Sequence, residues 1–197
     1  MNMKSISDIG LSFYKLLQRV YAKIFSLLAS GAFNEFGRGT ILMPPIRLSG
    51  ERRIAIGDNV YFGAGSWLQT LPDGENKSTS LSIGSRTSIA GYCVLSAVRS
   101  VVLEEDVLLA RNVYISDHIH KYTDSEIPIK DQGVDKVEPV LICKGAWLGQ
   151  NVVICPGVRI GRNAVVGANS VVNSNVPDNC IAVGAPARVV KTITAST

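Results

Sequence analysis

From Ile142 onward a large aliphatic residue returns at every sixth position: Ile142, Leu148, Ile154, Ile160, Val166 and Val172. Four places after each stands a small or β-branched residue, namely Ala146, Val152, Val158, Ala164, Ser170 and Val176. An α-helix repeats its faces every ~3.6 residues and a strand every two, so a six-residue period with two inward positions fits neither alone. It fits a short strand followed by a turn. Three such units close a triangular coil of about 18 residues, and stacked coils pair their strands in parallel around a column of aliphatics. Gly149, Gly161 and Gly167 come one place after the aliphatic, and Asn151, Asn163, Asn169 and Asn175 three places after. Both residue types accept the unusual backbone angles of tight corners.

The same phase recurs in broken form upstream, as IGDNVY and FGAGSW from Ile56, IGSRTS and IAGYCV from Ile83, and LEEDVL and LARNVY from Leu103. The pattern predicts a mainly β solenoid, a parallel β-helix of about six coils. Two segments interrupt it, Gln69–Ser80 and the longer His118–Pro139. A solenoid expels extra residues as loops, and long loops often carry function.

Ahead of the repeat, Ile6, Ile9, Phe13, Leu16, Val20, Ile24 and Leu27 recur at spacings of three and four, which predicts an amphipathic helix over Ile6–Leu28. Lys15, Arg19 and Lys23 interrupt the run, so it is neither a spanning helix nor a signal peptide. Two roles are open to it: packing on its own domain or on a neighbouring subunit, or lying on an anionic membrane surface, which four cations against the single Asp8 favour. The expected organisation is a helical segment 1–35, a solenoid 36–191 and a tail 192–197.

Length and charge narrow the classes. A chain of 197 residues that is 46% hydrophobic buries one domain comfortably. Its net charge of +4 is dispersed, with no Lys/Arg block to follow a phosphate backbone, so nucleic acid is not expected as a partner. Cys93, Cys143, Cys155 and Cys180 show no CxxC spacing, and read as free thiols of a reducing cytoplasm without a metal site.

The segment VLICKGAWLGQNVVICPGVRIGRNAVVGANSVV, followed by VPDNCIAVGAPARVVK, resembles the closing signature of the hexapeptide-repeat acyltransferases, in the branch of maltose and galactoside acetyltransferases and polysaccharide O-acetyltransferases. The resemblance covers roughly 36–191, and SDHIHKY resembles the stretch where that family keeps its catalytic histidine. It implies a left-handed β-helix, acetyl-CoA as acyl donor, no metal, and a homotrimer with its groove between subunits. Carried over by the signature, Trp147, Gly149, Gln150, Ala168, Asn173, Ser174, Arg188 and Lys191 would line the cofactor groove. Arg188 and Lys191 are suited to phosphates, though cations near a chain end are also commonly just solvated. Trp147 could stack on the cofactor or wrap a corner.

Acetyl transfer to a hydroxyl needs a base near neutral pH, and the chain has two histidines, His118 and His120. His118 directly follows a repeat unit and should be the more rigidly placed. It would deprotonate the acceptor hydroxyl in a ternary complex without an acyl-enzyme, with backbone N–H groups near Gly149 and Gln150 facing the oxyanion. Asp117 could orient the imidazole, but neighbours in an extended chain point apart. Asp117, His120 and Tyr122 are the candidates for positioning substrate.

Where the sugar acetyltransferases would carry an Asn, Ala90 stands instead. That departure leaves the acceptor open, and the N-terminal helix with the loop sequence TDSEIPI ranks a polysaccharide or lipid-linked sugar above a free sugar, handled in the cytoplasm or at the inner face of the membrane. A sugar-nucleotide N-acetyltransferase would use the same base and donor. A metal hydrolyase resembling γ-class carbonic anhydrase would need three histidines and fails by count. A non-enzymatic solenoid scaffold is the third reading.

Overall fold

The computed structural model describes residues 3–74 and 78–194. Residues 195–197 of the expected tail lie outside them. Among the described residues the chain winds into a triangular prism with three parallel sheets as its faces. The first and third sheets have six strands each, matching the expected number of coils, and the second adds a C-terminal hairpin, Cys180–Gly184 with Ala187–Thr192.

Each inward position of the repeat is where the six-residue phase puts it. Ile142, Ala146, Leu148, Val152, Ile154 and Val158 are all buried, as are Ile160, Ala164, Val166, Ser170, Val172 and Val176. Upstream, Ile56, Phe62 and Leu68, then Ile83, Ile89 and Leu95, then Leu103, Leu109 and Ile115 continue the same axial column. Burying large aliphatics in register from coil to coil supplies the main stabilisation, since a repeat in isolation has nothing to cover its apolar side.

The two corner residues divide the work differently from the sequence expectation. Asn151, Asn163 and Asn169 do adopt positive φ, at 59°, 52° and 59°, but Asn175 does not. Its side-chain oxygen instead accepts the Arg159 N–H at 2.7 Å. Gly149, Gly161 and Gly167 are not left-handed at all. They are glycines because coils approach too closely for a side chain: a Cβ on Gly161 would sit 2.4 Å from the backbone nitrogen of Asp178. Along one corner Asn112, Asn151 and Asn169 form a side-chain ladder, with Nδ2-to-Oδ1 distances of 3.1 and 2.8 Å.

Two corners of the prism are constant in length, whereas all added residues leave by the third, where the chain passes from the third sheet back to the first. The excursions run between Ser49 and Ile54, Thr70 and Leu81, Ala97 and Val101, and Ser116 and Val140. The longest is not a structureless loop. It opens and closes through a two-stranded antiparallel ribbon, Ile119–His120 with Val134–Asp135, and holds a 3-10 turn at Ile129–Asp131. Arg53 ties this edge together, donating to the carbonyls of Leu71, Val98 (2.8 Å) and Ser78 (3.1 Å).

The N-terminal helix, Met3–Ser30, exceeds the expected range at both ends. The face it turns to the solenoid is not the predicted apolar stripe. Its last turns pack through Ala22, Phe25, Ser26 and Ala29, and the Ser26 hydroxyl accepts the Leu42 N–H at 2.8 Å. Ile9, Phe13, Leu16, Val20, Ile24 and Leu27 all remain exposed.

Candidate functional site

The edge that collects the excursions also holds His118. The strand Tyr114–Ser116 ends one residue before Asp117, so the chain is already turning out of the sheet there. This overturns the expectation that Asp117 and His118 point apart, because the alternation of an extended strand no longer applies. Asp117 Oδ1 lies 2.8 Å from His118 Nδ1. The Asp117 side chain is fully buried, and its carboxylate accepts the N–H groups of Val98 at 2.9 Å, Arg99 at 2.7 Å and Ser100 at 2.8 Å. Those amides belong to the corner turn of the preceding coil. Glu138, where the excursion returns, donates its N–H to the Asp117 carbonyl at 2.8 Å.

Burial by itself would raise the Asp117 pKa. Hydrogen bonds from His118 and from the amides of Val98, Ser100 and Arg99 outweigh it and hold the carboxyl below the ordinary carboxylate range. An ionised carboxylate accepts only, so the His118 Nδ1 carries the proton between them, and in the neutral ring this tautomer leaves the lone pair on Nε2. Ser116 braces the backbone beside the ring: its hydroxyl donates to the His118 carbonyl at 2.8 Å and accepts the His118 N–H at 3.2 Å. A histidine so held is suited to accept a proton at Nε2 and return it.

His118 lines a cleft of about 290 Å³ together with Tyr114, Ser116, Ile119, His120, Cys155 and Pro156, over a floor of Val153 and Ile154. His120 reaches the same cleft from the ribbon. Tyr122 lies outside this lining and is well exposed. Cys155 was not anticipated there, because it belongs to the next coil and nothing in one dimension ties it to His118. Burial pushes its thiol pKa up, which keeps it protonated and disfavours a thiolate nucleophile. Pro156 and the amides of 98–100, which belong to other coils, were missed for the same reason, whereas Ser116 is adjacent in sequence and only its hydrogen bonds to the His118 backbone disclose its role.

The candidate cofactor residues fall on two edges. Trp147, Val165, Ile181 and Lys191 are in register across the outside of the second sheet. A regular strand would send Arg188 and Lys191 to opposite sides, three positions apart. The register shift between Ile181 and Ala182 places Arg188 opposite Val183 and Lys191 opposite Ile181, so both cations share the outer face. Gly149, Gln150 and Ala168 sit at the corner leading from this sheet to the third.

Asn173 and Ser174 lie instead on the His118 edge, two coils along, or about 10 Å at the inter-strand spacing. Within one chain the third sheet therefore separates His118 from Gln150. Gly149 is corrected as an oxyanion donor, since its N–H is committed to the Val166 carbonyl at 2.8 Å. Among the described residues no group of three or more His, Cys, Asp or Glu is placed to hold a metal ion.

Comparison with known proteins agrees with this architecture. The family model described as bacterial transferase hexapeptide (six repeats) matches residues 139–174. The putative lipopolysaccharide biosynthesis O-acetyl transferase WbbJ of Escherichia coli is 31% identical over 158 residues, spanning 77% of this chain and 78% of that protein. The galactoside O-acetyltransferase of Escherichia coli is 37% identical over 94 residues, 48% of this chain and 45% of its own length. Among solved structures, AntD, an N-acyltransferase from Bacillus cereus in complex with dTDP and 3-hydroxybutyryl-CoA, superposes with a TM-score of 0.72 at 23% identity, covering 85% of this chain and 87% of that one. With the six-residue core, the corner geometry and these likenesses together, the chain belongs to the hexapeptide-repeat acyltransferases, an acetyltransferase family built on the left-handed parallel β-helix.

Proposed function

We propose that this enzyme transfers an acetyl group from acetyl-CoA to a sugar hydroxyl of a surface polysaccharide or lipid-linked glycan precursor, with His118 as general base, in a homotrimer. The Asp117–His118 pair carries the reading. Its buried carboxylate fixes the tautomer that leaves Nε2 free to accept the hydroxyl proton. As the acceptor oxygen bonds to the thioester carbonyl carbon, that proton passes to Nε2. The carbon–sulfur bond then breaks, and the imidazolium, stabilised by Asp117, protonates the departing thiolate.

Arg188 and Lys191 fit a phosphorylated donor. Both are exposed on one face, and among the described residues no ion pair engages either. The separation of His118 from Gln150 within one chain supports a groove formed by two copies, in which the Gln150 N–H of the neighbour faces the oxyanion. The likeness to WbbJ supports a glycan acceptor, and the four free cysteines fit the reducing cytoplasm.

The test is thiol release from acetyl-CoA against a panel of glycan acceptors and amino-sugar nucleotides. Stimulation by a hydroxyl acceptor is expected, with His118→Ala lowering kcat/KM by roughly 10²- to 10⁴-fold. Equal turnover by the two proteins would remove His118 from the chemistry. Stimulation by amino-sugar nucleotides alone would make the enzyme an N-acetyltransferase, and neither stimulation nor CoA binding would leave a scaffold.

A further inference from the structure

The N-terminal helix runs for 28 residues, about 42 Å, and buries side chains on the solenoid through its last turns. From Ser7 to Tyr21 every residue is exposed. On a helical projection Ile9, Phe13, Leu16, Leu17, Val20, Tyr21, Ile24, Leu27 and Leu28 share one arc of roughly half the circumference. Ala22, Ser26 and Ala29, which meet the solenoid, lie on the other half. Leu16, Val20 and Leu27, at one margin of the arc, border grooves against Ile41 of the solenoid, and the rest of the arc faces away from the chain's own core, an exposed apolar surface of the kind that marks an interaction site.

We infer that this helix is a membrane-surface anchor, lying in the headgroup region of an anionic bilayer with its apolar arc toward the acyl chains. No helix of the described residues is long and apolar enough to cross a membrane, so the helix lies on the surface. Its polar half carries Lys15, Arg19 and Lys23 against the single carboxylate of Asp8, the charge balance of an interfacial helix drawn to anionic lipid. Tyr14 and Tyr21 stand at the border between the two halves, where a ring with a polar tip suits the water–lipid boundary. None of the helix lines the His118 cleft, so the anchor does not depend on the transfer chemistry.

The full-length protein is sedimented with vesicles of phosphatidylglycerol and phosphatidylethanolamine and, separately, of phosphatidylcholine. Binding to the anionic vesicles alone is expected, weakening as salt is raised. Neutralising Lys15, Arg19 and Lys23 to Gln should lower it on the order of a hundredfold. Phe13→Ser with Leu17→Ser should abolish it while leaving the oligomeric mass and thiol release with a soluble acceptor unchanged. A protein that stays in the supernatant with every vesicle, or binds neutral vesicles equally, overturns the anchor. So does a fall in oligomeric mass on Phe13→Ser with Leu17→Ser, which would make the arc a contact between copies. The vesicle readout needs no turnover, so its failure is distinguishable from a failure of the acetyl-transfer reading.

Discussion

Asp117 carries two duties at once: its carboxylate closes the 98–100 turn of the preceding coil, and it fixes the proton on His118. Asp117→Asn keeps the shape but turns an amide toward N–H donors, so a loss of about 1–3 kcal/mol is expected in chemical denaturation. Because the folded pKa lies below the unfolded value of about 3.9, the unfolded chain binds more protons between the two. The carboxylate's contribution is therefore complete above about pH 4 and fades as pH falls through the folded value. The difference in Tm between wild type and Asp117→Asn should shrink on acidification below that point. Asn151 tests the corners: Asn151→Ala should cost roughly 1–2 kcal/mol through its left-handed φ of 59°. Asn151→Gly should recover most of that loss, and failure to do so would assign the cost to the asparagine ladder.

At the scale of the element, each short strand is held by the coils above and below it. Gly161→Ala would drive a Cβ into the backbone of Asp178, and thermal unfolding should show a loss of about 1–3 kcal/mol. The excursions behave differently, because they leave and rejoin at one corner without altering the coil count. The longest is anchored at its base by the ribbon Ile119–His120 with Val134–Asp135. Replacing residues 123–131 with a short turn should thus leave unfolding nearly unchanged, since loop length has a weak effect on stability. Activity with the glycan acceptor should fall through KM if the loop touches that substrate.

For the whole molecule, the decisive feature is that His118 lies at the edge between the third and first sheets while Trp147, Lys191 and Arg188 lie on the outer face of the second. In the proposed homotrimer, a site needing both would be assembled between copies. His118→Ala and an Arg188→Glu, Lys191→Glu double variant should each be inactive alone, yet co-assembled chains should regain a fraction of wild-type turnover, because some grooves then receive both intact halves. No recovery in confirmed mixed oligomers would place the site within a single chain.

The six-residue phase was enough to determine the solenoid, its buried column and the neighbourhood of His118, and it marked the left-handed turns of Asn151, Asn163 and Asn169 without separating them from Asn175. Hydrophobic period acts locally and repeats, so it is written into the chain in order. The glycines after each aliphatic were legible as a pattern but not in their cause, because the backbone they accommodate belongs to another coil. The Asp117 cage, Cys155 in the cleft and the bulge that turns Arg188 and Lys191 to one side depend on how coils stack, and no one-dimensional spacing records that. The direction of the helix's apolar arc was likewise decided by tertiary structure: its period announced an amphipathic helix, but only packing through Ala22, Ser26 and Ala29 turned the apolar side outward.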